Sequence, residues 1–437
     1  MAADDRTART GRRSVYLLAG VNLTGLGSLT APVVAGLPLK IDALFPAQER
    51  ADVLATVLAI GALAALVSNP LFGMLSDRTR GRFGRRRPWM LGGALAGLLG
   101  VAALGAADSL PVIVTCWVFT QTAYNAMLAA TAALLADIVP DSRRAAASGV
   151  FTAAAFVGTL PPLVLTAMLP RQVDAVSLVM PIIAVVVVAI ALRLPDAAPC
   201  PRNAAAPGIG TRPVLHARTA RRAFTAVWLQ RLAMQSAFSL ASAFTIYLVI
   251  DRMTHDPVGA TPVAMIATLA GGSGIVIGAA VGGAWASRLR RHLPFLVCGA
   301  LGLAAGASLR SLADSPPLLW IASSLGGLAV GIYLAVNLAL AMRVIPGHQR
   351  GTYLGVLNIA ETIPQVLAPV TAAALLHVGQ SDPVSGSADN YFMLYLSAAA
   401  VAMLSLATLP SLRQTSRGEV RRSRPHPTET GASSSRM

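Results

Sequence analysis

Along this chain, apolar and polar positions alternate on the scale of whole segments. Runs of about 20 apolar residues, long enough to cross a bilayer core, recur at 15–37, 52–75, 89–107, 110–135, 148–169, 177–194, 224–250, 263–285, 295–312, 318–341, 352–377 and 391–409. Short polar or basic stretches separate them. The pattern predicts an all-α, polytopic membrane protein of twelve transmembrane helices. Two longer polar stretches stand out: residues 195–222, rich in Ala, Pro and Arg, and residues 413–437, rich in Arg, Ser, Thr and Pro. The expected organisation is a six-helix bundle over 1–194, a cytoplasmic linker over 195–222, a second six-helix bundle over 223–412 and a cytoplasmic tail over 413–437. The tail is expected to be disordered, because it has too few apolar residues to build a core.

Composition sharpens this picture. The 437 residues are 55% hydrophobic and only 12% charged, against roughly 25% charged in soluble domains. The formal net charge of +16 raises nucleic-acid binding, since clustered arginines neutralise phosphates. The placement of the charges argues against it. With the N-terminus inside, 29 of the 35 Lys and Arg fall on the cytoplasmic side, five outside and one within a span. That is the positive-inside distribution of a multi-pass protein of the cell membrane with both termini cytoplasmic. Arg12 and Arg13 stand before an apolar run as in a signal peptide, but the run is long and many spans follow, so an uncleaved first helix is expected.

Catalytic or metal chemistry finds little support. Cys116, Cys200 and Cys298 form neither an even framework nor a metal-ligand spacing, so no disulfide, metal or cofactor is expected. The six histidines lack paired spacing, and Gly271-Gly-Ser-Gly274 has neither the preceding strand nor the following Lys of a phosphate loop. The chain does not read as an enzyme. A membrane-bound sensor would carry a folded soluble domain, and the linker and tail are too short and polar to make one.

An internal repeat runs at an offset of 206 residues. Pro88-Trp89 returns as Pro294-Phe295, Gly93-Ala-Leu as Gly299-Ala-Leu, Asp108-Ser as Asp314-Ser, and Pro140, Arg144 and Gly149-Val as Pro346, Arg350 and Gly355-Val. Upstream, Gly73 and Arg78 match Gly283 and Arg288 at an offset of 210, so the first-half loop carries four extra residues. One register held across three helices implies two homologous halves related by an axis along the membrane normal. Ser287 then stands where the first half has Asp77.

The extra residues fall in the most charged loop, Gly73-Met-Leu-Ser-Asp-Arg-Thr-Arg-Gly-Arg-Phe-Gly-Arg-Arg-Arg-Pro88. Taken alone, its six arginines fix topology. Twelve helices in a six-plus-six duplication, with Gly73-x-x-Ser-Asp-Arg between the second and third, resemble the major facilitator superfamily over the whole chain. Ser76-Asp-Arg-x-x-x-Arg-Phe-Gly-Arg-Arg-Arg-Pro88, Ala133-Leu-Leu-Ala-Asp137 and Gly355-Val-Leu-Asn-Ile-Ala-x-x-Ile-Pro-Gln365 resemble more narrowly its glycoside-pentoside-hexuronide and sucrose symporter branch. The resemblance implies alternating access between two bundles, with Asp77 facing Gly351 and Thr352 at the start of the eleventh helix. It further implies that Arg85, with Arg78 or Arg82, pairs with Asp137 to hold the bundles together on the cytoplasmic side. The branch's sucrose symporters carry a sugar-binding arginine just before the fourth-helix segment; here that position is Ala132, which puts sucrose itself in doubt.

Two ionisable residues lie well inside spans, Arg231 in the seventh and Glu361 in the eleventh. A charge at such depth costs about 2.5 to 3.5 kcal/mol on insertion scales and so faces a cavity or a partner. Alone, Glu361 would carry a proton each cycle; paired with Arg231, it would order the site or bind solute; a purely structural pair, or an Arg231 snorkelling to the interface, is the bland alternative. Asn358, Glu361 and Gln365 share one helix face, and Gln235, Ser239 and Ser242 follow Arg231 along another. Asn22, Gln121, Tyr124, Asn125 and Thr152 are first-half candidates for solute contact or for interhelical bonds. The expected function is proton-coupled symport of a sugar or sugar-like solute by a monomer in the bilayer. The alternative is proton-coupled export of a small amphiphilic metabolite or drug, favoured by an aromatic content of only 5%.

Overall fold

The structure, a computed structural model, describes residues 2–412 apart from 47–48, 82, 170, 195–217, 243 and 380. The expected tail and most of the expected linker lie outside the described residues, and the described end of the linker, 218–222, is helical. Among the described residues every regular element is a helix. Eleven are long and apolar enough to span a membrane: α1 (Arg12–Leu44), α2 (Asp52–Arg78), α3 (Arg87–Gly105), α4 (Leu110–Ile138), α5 (Asp141–Thr166), α6 (Val173–Ala191), α8 (Val258–Leu289), α9 (Leu293–Ser311), α10 (Pro316–Val344), α11 (Arg350–Leu376) and α12 (Tyr391–Leu412). A bent pair, Arg221–Ser242 and Thr245–Thr254, forms α7 and brings the spans to as many as twelve.

Local chemistry sets the ends. Helices α3, α4, α9 and α10 each have proline in the first turn, where its missing N–H costs nothing and its fixed φ suits the helix. Asp256 opens α8 by accepting from the N–H groups of Val258 and Gly259, both at 2.8 Å. Left-handed residues end α7 and α8, His255 at φ 54° and Arg290 at φ 51°. Phe244, at φ 57°, lies at the 42° bend of α7.

Two bundles follow from the packing, as the repeat implies. In the first, α1 packs on α4, α5 and α6, α3 on α4 and α6, and α2 on α4; in the second, α8 and α9 pack on α10, α12 on α7 and α9, and α11 on α7. They meet along two main seams, α2 against α11 and α5 against α8 with α10. Small residues let backbones touch there. A Cβ on Gly73 would strike the Gly351 carbonyl and one on Gly355 would strike Pro70, while in the other seam Gly283 meets Ala145 and Gly149 meets Ala279.

His292, between α8 and α9, is buried, and its Nε2 has no hydrogen-bond partner among the described residues. Burial first, and then the positive charge of Arg343, hold its imidazole down to about 4. Below pH 6.5 the unfolded chain takes up a proton that the folded one refuses, so stability falls as pH drops from about 6.5 to about 4 and levels off below. The loss amounts to about 3 kcal/mol. Thermal unfolding in detergent should show a shallower decline across this window for His292→Gln than for the unaltered protein. Parallel curves would remove the role.

Candidate functional site

At the arginine-rich end, α2 finishes on Ser76, Asp77 and Arg78. The Asp77 carboxylate accepts from the backbone N–H groups of Gly351 at 3.1 Å and Thr352 at 2.7 Å, and from the Thr352 hydroxyl at 2.8 Å. Those N–H groups belong to the first turn of α11, which lacks intrahelical acceptors for them and favours negative charge. Arg86, whose side chain is 0% exposed, holds the carboxylate in place. Its Nη2 donates to Asp77 at 2.7 Å, its Nε to Asp137 at 3.1 Å and its Nη1 to the Ser76 hydroxyl. Asp137, at the end of α4, also pairs with Arg85 at 2.9 Å and, from the other bundle, with Arg350 at 3.1 Å. Two carboxylates and three arginines therefore join the ends of α2 and α4 to the starts of α3 and α11, across one seam.

The second seam repeats the design with a neutral group. Ser287 Oγ accepts from the Ala146 N–H at 2.8 Å, and Ala146 lies 206 residues before Thr352, the residue whose N–H binds Asp77. The offset at Ser287 and Asp77 is 210, as in the sequence repeat. Arg144 reaches across to the Met342 carbonyl at 3.0 Å, and Arg343 reaches back to the Asp141 carbonyl at 3.1 Å. Bonds to one carboxylate are worth more than a neutral hydroxyl bond, so the α2 and α11 seam is the stronger latch. Gly73→Ala should keep it from closing, since the added methyl meets the Gly351 carbonyl. A cysteine replacing Ser148, which is buried in the α5 and α10 seam beside Met342, would then label several-fold faster as the bundles part; an unchanged rate would refute the steric argument.

Deeper in the membrane, Arg231 Nη2 donates to Glu361 Oε2 at 2.6 Å and Nη1 to Asn337 Oδ1 at 3.1 Å. The bond set ties α7, α10 and α11 together, and the Glu361 side chain remains 28% exposed. Tyr333 and Gln230 are fully buried nearby in α10 and α7, with the Tyr333 hydroxyl and both Gln230 amide atoms unpartnered among the described residues. In the first bundle Asn69 Nδ2 donates to Asn125 Oδ1 at 3.1 Å, and Asn125 Nδ2 donates to the Gln121 carbonyl at 2.8 Å.

The structure brings together Asp77, Arg85 and Asp137, and separately Arg231 and Glu361. Arg78 has no carboxylate partner among the described residues, and Arg82 lies outside them. Asn22 bonds the Phe151 carbonyl at 3.0 Å, an interhelical contact. Tyr124 is fully buried, Gln235 is buried with an unpartnered Oε1, Asn358 bonds Thr362 at 3.4 Å and Gln365 is exposed. Sequence reasoning missed Arg86, Arg350, Asn337 and Asn69. The 206-residue repeat contained a signal for one of them, since Arg350 matches Arg144.

Comparison with known proteins places this geometry in a wider group. The model of the Major Facilitator Superfamily matches residues 14–369 and, in an overlapping match, 258–434. An uncharacterized symporter of Synechocystis sp. is 55% identical over 40 residues, 9% of this chain and 7% of that protein. The multidrug resistance protein MdtH of Yersinia enterocolitica is 33% identical over 95 residues, 22% of this chain and 23% of that protein. The matches thus span less than a quarter of either relative's length. The proton:xylose symporter XylE shares the fold, with a TM-score of 0.70 at 13% identity over 92% of this chain and 95% of that one.

Proposed function

Because this chain belongs to the Major Facilitator Superfamily, we propose that it is a secondary transporter working by alternating access, a proton-coupled symporter of a sugar or sugar-like solute. The observation that carries the alternating-access reading is the doubled latch. Asp77 on the α11 N-terminus and Ser287 on the Ala146 N–H close two repeat-related seams at one end of the molecule. Contacts of that kind hold one side shut and break when the other conformation forms. The basic loops support a cytoplasmic placement of this end and of both termini, and we take the protein to act as a monomer in the cell membrane.

Polar side chains mid-membrane support a hydroxylated solute. Asn69, Gln121 and Asn125 on one bundle and Asn358, Glu361 and Gln365 on the other supply paired donors and acceptors of the sort a sugar engages. The extended arginine motif points the same way, and the Synechocystis match favours symport without naming a solute. The second reading, export of a small amphiphile, is favoured by Ala132 and by the MdtH match. Thermal-shift screening of the purified protein against sugars, glycosides and apolar drugs separates them. Stabilisation by sugars or glycosides is the expected result, and stabilisation by drugs alone overturns the symport reading.

A further inference from the structure

Among the described residues six arginines are buried to less than a tenth of their surface: Arg85, Arg86, Arg144, Arg231, Arg252 and Arg310. Five of them pair with a carboxylate, on Asp137, Asp77, Asp141, Glu361 and Asp382 respectively. Arg310, near the end of α9 remote from the arginine-rich loops, has no carboxylate partner among the described residues. It donates to the Ala241 carbonyl, to Thr245 Oγ1 at 3.1 Å and to Ser323 Oγ at 2.6 Å, and its guanidinium lies over the Tyr395 ring at 5.6 Å. All of these partners are neutral. Dipoles and a π-face orient a buried guanidinium without neutralising it, and an uncompensated charge at membrane depth is costly.

Arg310 lines a cavity of roughly 530 Å³ between the second half of α5 and helices α7, α8, α9 and α10. Ser242, Thr245, Thr268 and Ser323 also line it, making a polar region with the guanidinium. Leu160 and Leu163 of α5 and Leu269 and Ile277 of α8 add apolar walls, and these four are 37% to 55% exposed. Neither Arg231 nor Glu361 lines it. We propose that this cavity binds an amphiphile with an anionic head and an apolar tail, the head on Arg310 and the tail along the leucines of α5 and α8. Asn358 and Gln365 do not line it either, and the inference does not rest on the solute being a sugar.

Two sources supply such a molecule, an anionic membrane lipid and a free fatty carboxylate. The test is equilibrium binding of radiolabelled laurate to the purified full-length protein in maltoside detergent. Unlabelled dodecanol serves as the neutral competitor and dioleoylphosphatidylglycerol as the lipid competitor. Saturable binding that dodecanol fails to displace is expected, weakened at least tenfold by Arg310→Gln and by Gly272→Leu. The second variant keeps the test decisive if the first fails to fold. Gly272 lines the cavity and a Cβ there meets nothing within 4 Å, so a leucine starts into open space. Displacement of laurate by the phospholipid identifies a lipid as the occupant; laurate binding that persists in its presence identifies a free amphiphilic anion. Absence of saturable binding, equal competition by dodecanol, or unchanged binding in Gly272→Leu overturns the proposal.

Discussion

Arg86→Gln is expected to open the arginine-rich end of the molecule. In the closed arrangement Arg86 is 0% exposed and serves Ser76, Asp77 and Asp137 with three different nitrogens. Removing its charge leaves Asp77 with only backbone and hydroxyl donors and deprives Asp137 of one of three cations. Breaking a buried pair by deleting one partner costs about 3 to 5 kcal/mol. The cost falls on the closed state, because opening returns both carboxylates to water. At 1.4 kcal/mol per decade the gate equilibrium should shift by about a hundredfold or more. Ser148→Cys, in a background without the three native cysteines, provides the measurement. Its labelling by a thiol reagent from the arginine-rich side should accelerate strongly in Arg86→Gln and less in Arg86→Lys, since an ammonium cannot reproduce the three-way fork. Equal labelling in all three backgrounds would show that Arg86 does not hold the latch.

Much of the fold was legible because a bilayer makes length and hydropathy nearly sufficient. The run 110–135 became α4, Leu110–Ile138, and 352–377 became α11, Arg350–Leu376. Ends were less legible. The run 15–37 became Arg12–Leu44 and 263–285 became Val258–Leu289, because helices continue past the apolar stretch until caps such as Asp256 or left-handed residues such as Arg290 stop them. The bend of α7 had no apolar signature, since Phe244 is an ordinary span residue until its φ is known. For the site, a charge inside a span announces itself, which is why Arg231 and Glu361 were found. Arg86 was one of six arginines in a loop, and only the fold shows which of them turns inward. Arg310 was hidden differently. At the end of an apolar run it counted as an outer-loop charge, whereas the helix carries it into a buried position.

Glu361→Gln is the second change expected to have a large effect, and it separates three roles that sequence left open. The pair at 2.6 Å makes a solitary Arg231 reaching for the interface untenable, because the guanidinium is held by Glu361 and Asn337. With glutamine at 361, the charge on Arg231, whose side chain is 10% exposed, loses its only carboxylate among the described residues. Since Glu361 is 28% exposed, the stability loss should be about 2 to 3 kcal/mol, discounted from the 3 to 5 of a fully buried pair. Arg231→Met with Glu361→Leu should recover most of it, as apolar replacements of buried pairs commonly do. Uptake of the solute identified by thermal shift then discriminates. A structural pair predicts that the double variant transports as it is stabilised. A pair that binds solute or couples the proton predicts a stable protein with uptake reduced at least a hundredfold. Between those two functions, full pH-driven uptake by Glu361→Gln alone would remove Glu361 as the proton carrier. A low affinity for solute in that variant, with the pH dependence intact, would assign it to binding.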